Sequence, residues 1–280
     1  MKNSQWSIVN SQWFLKNIFS KLLITVVFGL WNVNAIAKIP EFVSIIKEKS
    51  LAVFINTNDE VFLIQKGLIK KYNNVGILLQ TYGNKFIDDE TKMININGFR
   101  CILFSPSYGK IIQLDNRLNE IDVINVFDFT NLNVTCVGSS YNNEYFWLWD
   151  AATQKLEKLD KNKKIVFESN SISALLGKSI NPKYIQEQGI LLYLSDEENG
   201  IYIFDNQGNY IKTIPILGVK AVKVIDDKIY YVKENSFYSY DKLLFQETKY
   251  TESPNLSNQQ IGTARICGIN ADGFVEIWQF

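Results

Sequence analysis

"GIYIFDNQGNYIKTI", residues 200–214, sets two short runs of alternating apolar residues on either side of an Asp-Asn-Gln-Gly-Asn break. Alternation with a period of two is the pattern of a half-buried strand, and a break rich in Gly, Asn and Asp between two such runs specifies a tight hairpin. Relatives of the phrase stand upstream as "KIIQLDNRLNEIDVI" (110–124) and "KLEKLDKNKKIVFES" (155–169). Superposing the three aligns Asp115, Asp160 and Asp205 at intervals of 45 and 45 residues. Each Asp follows an apolar residue that closes a strand: Leu114, Leu159 and Phe204. A carboxylate there accepts hydrogen bonds from turn amides one or two residues on, so the recurring Asp is first of all a hairpin device.

Degraded copies extend the series. "FYSYDKLLFQETKY" carries Asp241, 36 residues beyond Asp205. "VFLIQKGLIKKYN" is read with Gln65 in the Asp place, and "FVEIWQF" with Gln279 there. Six such strands over residues 38–280 give about 40 residues per unit, which is the length of a four-stranded propeller blade and not of a helical repeat. The best unit divides into "KYIQEQ", "GILLYLS", "GIYIFD" and "YIKTIPI", with Asn- and Gly-bearing breaks between the last three. Strand interiors are rich in Ile, Val, Tyr and Phe, which suit pleated surfaces. "SNSISALLGK" (169–178) is the one stretch that reads as a short helix lying over a blade edge.

A lone four-stranded sheet exposes two faces and two edges, and radial stacking of six buries the faces between neighbours. The expected fold is therefore all-β: a β-propeller of six blades, each of four antiparallel strands. The final unit has three strands, so "IPEFVSII" (39–46) is expected either to supply its fourth strand or to be the innermost strand of blade one. In architecture and loose repeat pattern the chain resembles the six-bladed propellers of the NHL and TolB-like kind. That resemblance spans most of residues 39–280 and carries no site residues with it.

Ahead of the repeat, "LLITVVFGLW" (22–31) is an uncharged apolar run preceded by Lys16 and Lys21. It is followed by Ala35 and Ala37 in the small-residue positions of a cleavage site, with no acidic residue before position 38. This is the layout of a secretory signal peptide, and the run is too short for a transmembrane helix. The competing reading is an ordinary N-terminal anchor. Residues 1–37 are thus expected to be a leader with an over-long start, leaving 38–280 as the propeller domain with no span of its own. The mature protein is expected to be periplasmic, associated with the outer envelope, or secreted.

Composition narrows the chemistry. The 280 residues are 46% hydrophobic and 21% charged, with 29 basic and 29 acidic residues. Loss of the leader removes three Lys and no acid, for a net charge of −3. A nucleic-acid partner is disfavoured by that balance. The chain has no His, which removes Ser-His-Asp and Cys-His catalysis and imidazole-ligated metal. Three Cys (Cys101, Cys136, Cys267) lie in apolar strand contexts and are expected to be free and buried.

Several stretches invite a functional reading. "YNNEYFWLWD" (141–150) puts Tyr145, Trp147 and Trp149 on one strand face, either as an aromatic platform for sugar or peptide or as packing between blades. "KLEKLDKNKK" is either a basic contact for anionic lipid or polysaccharide or a hairpin whose lysines guard a strand edge. "DEEN" (196–199) reads as a solvated turn, and "DNQGN" lacks the downstream Glu of a calcium loop. For a metal-dependent lactonase with carboxylates at the central channel, Glu41, Asn181 and Arg265 are the residues near the starts of innermost strands. No nucleotide loop or nucleophile elbow occurs. The reading of function is an exported, non-enzymatic binding or scaffold protein of the cell envelope, without cofactor. It is expected to recognise a protein or glycan through loops on a propeller face, the metal-dependent hydrolase being the alternative.

Overall fold

The computed structural model describes residues 40–279 apart from 96–99, 129–132, 142–143 and 253. The leader assigned to residues 1–37 lies outside the described residues. Twenty-four strands form six separate four-stranded antiparallel sheets. Blade one is β2 (Ala52–Ile55), β3 (Val61–Gln65), β4 (Leu68–Tyr72) and β5 (Leu78–Gly83). Blade two is β6 (Lys92–Asn95), β7 (Arg100–Ser105), β8 (Lys110–Asp115) and β9 (Glu120–Asn125). Blade three is β10 (Val134–Ser139), β11 (Tyr145–Asp150), β12 (Lys155–Asp160) and β13 (Ile165–Glu168). Blade four is β14 (Tyr184–Gln188), β15 (Leu191–Asp196), β16 (Gly200–Asp205) and β17 (Tyr210–Ile214). Blade five is β18 (Ala221–Ile225), β19 (Lys228–Lys233), β20 (Ser236–Asp241) and β21 (Gln246–Glu252). Blade six takes β22 (Ser257–Ile261), β23 (Arg265–Ile269) and β24 (Phe274–Gln279) from the end of the repeat and β1 (Glu41–Lys49) from its start. Of the two places open to residues 39–46, the structure selects the outermost strand of blade six, with Glu41 opposite Gln279.

The hydrophobic core is divided among the seams between blades. Ile102, Phe104 and Ile111 of blade two meet Phe146 and Leu148 of blade three. Trp147, Trp149 and Leu156 of blade three meet Leu192, Leu194 and Phe204 of blade four. Similar clusters fill the remaining seams, including Val53, Val61 and Leu63 against Cys267, Val275 and Ile277 where the ring closes. Both faces of a strand are therefore apolar because both faces have a neighbour. All three Cys are free and buried, as packing residues. The short helix α1 (Ile172–Leu176) falls where the sequence placed it, capped by the Ser171 hydroxyl accepting from the Ala174 N–H and ended by Gly177 at φ 69°.

The hairpin between the third and fourth strands has one construction in four blades. In blade two the Asp115 carboxylate oxygen accepts from the N–H groups of Arg117 and Asn119, both at 2.8 Å, and Leu118 turns to φ 63°. Asp205 repeats this with Gln207 and Asn209, and Gly208 at φ 79°. Asp160 bonds Lys164 at 2.8 Å, with Lys163 at φ 64°. In each case the ladder slips by one residue beside the turn, which is the bulge that accompanies a three-residue loop ending in a left-handed residue.

One of the six copies departs from the sequence reading, and a second keeps its place with a longer turn. Gln65 ends β3, the second strand of its blade, and pairs with Leu68 across a short turn. The equivalent of Asp115 in blade one is Asn73, whose side-chain oxygen accepts from Val75 at 3.1 Å and Ile77 at 2.9 Å, with Gly76 at φ 85°. An Asn carbonyl serves the turn as well as a carboxylate does, so the chemistry was kept and the letter changed. Asp241 does close its third strand, but it caps Leu243 and Leu244, both at 2.9 Å, and the left-handed residue is Phe245. That turn is one residue longer than the others, so its ladder carries no slip beside Asp241.

Candidate functional site

Four antiparallel strands per blade fix which loops share an end of the ring. Turns after the first and third strands lie at one end, called here the turn face. Turns after the second strand, and the connections running to the next blade, lie at the other, the connection face. The chain enters β1 from the turn face, beside Gln279.

The aromatic strand β11 lies inside the ring. Trp147 and Trp149 are fully buried in the seam with blade four, so neither side chain presents an open platform; Tyr145 is half-buried beside them. The Trp147 indole N–H donates to a Glu187 carboxylate oxygen at 2.5 Å, and the Tyr145 hydroxyl donates to the same carboxylate at 3.3 Å. The Lys158 ammonium lies 4.5 Å from the centre of the Trp147 ring and 4.6 Å from that of Tyr145. This is an aromatic cage, and the chain's own lysine occupies it.

Lys158 has a counterpart that sequence reading missed. It stands two residues before Asp160 and donates to the backbone carbonyl of Asn206, in the outer turn of the next blade. Lys71, two residues before Asn73, donates to the carbonyl of Asn116 in the outer turn of its own next blade at 2.8 Å. It also pairs with Glu60 at 2.9 Å and is buried. These two lysines tie a blade to its successor. The signal was available as Lys two residues ahead of the turn Asx in blades one and three. Two more lysines of the "KLEKLDKNKK" run are paired: Lys155 with Glu168 inside blade three, and Lys163 with Asp122 of blade two.

Side chains on the innermost strands reach across to the next blade. The Gln186 amide bonds both the N–H and the carbonyl of Val224, at 3.0 and 2.9 Å. Asn258 accepts from the Val53 N–H at 3.1 Å, and Lys92 donates to the Thr135 carbonyl at 3.3 Å. Glu187 is the only acidic residue on the six innermost strands, and it is committed to Trp147 and Tyr145. Glu41 and Arg265 do not start innermost strands; they begin β1 and β23 and both stand in register with Gln279. Asn181 precedes β14, and its N–H is taken up by Asp196 at 2.7 Å. Among the described residues no group of three or more Cys, Asp or Glu is placed to hold a metal ion.

One ionisable group on an innermost strand stands apart. Lys223, on β18, is buried and its ammonium has no hydrogen-bond partner among the described residues. Burial pushes its pKa down to about 8, against a smaller opposing pull from the Asp59 charge. Asp59 is fixed by the N–H groups of Thr263 at 2.6 Å and Ala264 at 3.0 Å, which join blade one to blade six.

No family model matches the chain, and no curated protein matches it significantly in sequence. Solved structures do match in fold. BamB from Moraxella catarrhalis is similar over 86% of this chain and 100% of its own, with a TM-score of 0.52 at 11% identity. The Neurospora crassa Pan2 WD40 domain is similar over 87% and 96%, with a TM-score of 0.58 at 7% identity. Virginiamycin B lyase from Staphylococcus aureus is similar over 86% and 88%, with a TM-score of 0.54 at 13% identity. The chain is a six-bladed β-propeller. The likeness to propellers of the TolB and NHL kind holds for the fold, and propellers of one fold serve both binding and catalysis.

Proposed function

We propose that this propeller is an exported, non-enzymatic binding or scaffold protein of the cell envelope, and that it recognises a protein or glycan through its connection face. The observation that carries this reading is the contrast between the two ends of the ring. Outer turns on the turn face are similar in length and share a construction in four blades, whereas the blade-to-blade connections differ widely in length and sequence, from residues 50–51 to residues 169–183. Four of those connections each hold out a large apolar side chain: Leu51, Phe127, Leu175 and Leu217. A partner that spans several of these connections could bury one such side chain from each as an anchor. The similarity in fold to BamB, to a WD40 domain and to a chain of the mitotic checkpoint complex is compatible with a binding role. Export rests on the leader pattern of residues 22–37.

The test is a photo-crosslinking amino acid placed singly at Phe127, Leu175 and Leu217, and at Ile190 on the turn face, in the producing cell. Discrete protein or glycan adducts at the first three positions and none at Ile190 are expected. The same preparation should begin at Lys38 by mass spectrometry. Adducts confined to Ile190, or hydrolysis of a lactone that depends on an added divalent metal, would overturn the reading.

A further inference from the structure

We infer that the ring parts most readily between blades five and six, the other seams being tied by polar and charged side chains. Lys71 and Lys158 each reach from the third strand of one blade to an outer-turn carbonyl of the next, across seams one–two and three–four. Blades two and four lack that lysine and carry Gln113 and Ile203 in its place. There the tie runs backwards. Asp122, in register with Gln113, takes the Lys163 ammonium from the outer turn of blade three at 3.3 Å. The Tyr193 hydroxyl, on the strand residue in register with Ile203, takes the Lys242 ammonium from the outer turn of blade five at 3.0 Å. Between blades six and one, Glu48 of β1 pairs with Lys70 and accepts from the Tyr72 hydroxyl at 2.7 Å, and Asp59 holds two amides of blade six.

Seam five–six is built differently. Blade six closes with a strand from the start of the chain, so no turn joins its third and fourth strands to receive such a tie. Blade five has Ser239 two residues before Asp241, and that hydroxyl donates to the Tyr250 hydroxyl of its own blade at 3.1 Å. On the innermost strands, the Gln186 amide bonds the N–H and the carbonyl of Val224 across seam four–five. Lys223 holds the corresponding place in blade five: each residue stands two before the end of an innermost strand that turns within two residues. Its ammonium has no hydrogen-bond partner among the described residues. Lys223 shares a strand face with Ala221, which packs with Val232 and Phe237 against Ile261 and Ile266. The seam thus buries a cation where its neighbour has two hydrogen bonds, and an unpaired buried charge weakens the joint that contains it. Blades one to five form a tied arc, blade six is held to blade one, and the break in the chain of ties falls between blades five and six.

Thiol alkylation of the folded full chain reads each seam separately. Cys101 lies in seam one–two and Cys136 in seam three–four, both buried and both in seams that a lysine ties. Val232→Cys, and Ile266→Cys from the opposite side, each place a probe in seam five–six. Without denaturant, N-ethylmaleimide followed by peptide mass mapping should find the new thiol reacting at least about tenfold faster than Cys101 and Cys136 in both variants. Adding Lys223→Gln, which puts an amide where blade four has Gln186, should slow the new thiol, and Lys71→Met should quicken Cys101 alone. A new thiol no faster than Cys101 and Cys136, one indifferent to Lys223→Gln, or a Cys101 unmoved by Lys71→Met would overturn the inference. So would a single rate for every thiol in both variants, because the ring would then open only by unfolding as a whole.

Discussion

Trp147 of blade three and Glu187 of blade four are joined across their seam by an indole N–H that meets the carboxylate at 2.5 Å. Both residues are buried, and Lys158 covers the indole ring from above. Glu187→Leu leaves the indole N–H buried without an acceptor. It should lower unfolding stability by about 1–3 kcal/mol, measured by urea denaturation. Trp147→Phe removes the donor itself, so the double variant should lose less than the sum of the two singles. Additive losses would show that the pair is not coupled.

The outer turns give a second expectation. Asn73→Ala and Asp205→Ala each delete an acceptor that holds two turn amides, and each should lose about 1 kcal/mol, whereas Asn73→Asp should be close to neutral. Gly208→Ala should be worse than either, because φ there is 79° and the new Cβ would lie 2.5 Å from the Phe167 ring. Lys163→Gly should stabilise by up to about 1 kcal/mol by relieving a left-handed residue that carries a side chain. Urea midpoints for the five variants decide the matter, and an inert Asn73→Ala would remove blade one from the series.

These turns mark how far the sequence could be read. Asp115, Asp160 and Asp205 were visible at their true positions because the interaction that fixes them is local, within four residues. Gln65 misled because "IQKGL" also makes a hairpin, one strand too early, while the true turn residue of blade one is an Asn. Alternation sorted Trp147 and Trp149 onto one strand face but could not say that blade four covers it. The strand of Glu41 had two possible places, because closing blade six depends on a pairing between β1 and β24 that no local pattern announces, and Arg265 begins the second strand of blade six and not its innermost one.

Glu157 supplies a pH dependence. It is buried on β12 opposite Glu168, and burial, then the charges of Glu168 and Asp150, raise its pKa from 4.5 to about 7. A carboxyl whose folded pKa lies above its unfolded value favours the fold while protonated. Its contribution is therefore full below about pH 4.5 and is lost as pH rises to 7 and beyond. Glu157→Gln should raise the melting temperature at pH 8 and leave it nearly unchanged at pH 4. Equal effects at both pH values would exclude titration of Glu157 as the cause.

Lys223 should behave in the opposite sense. Its folded pKa of about 8 lies below the ordinary 10.5, so charging it opposes folding, and stability from this site rises as pH climbs from 8 towards 10.5. Lys223→Met keeps the length of the side chain and removes the buried charge, so it should be more stable than the native protein at pH 7, with a gain that shrinks by pH 10. A loss of stability at pH 7 would mean that the ammonium has a partner in solution.

The clasp in blade six has a mechanical consequence. Glu41 and Gln279 are directly opposed at one end of the β1–β24 ladder, so tension applied through these two residues peels the strands apart one pair at a time. The load never falls on several backbone bonds at once, as it would if the strands were sheared along their length. The same clasp joins segments separated by nearly the whole described chain, which makes its closure the most entropically demanding contact in the ring. Pulled by its two ends, the propeller is expected to open at this clasp first.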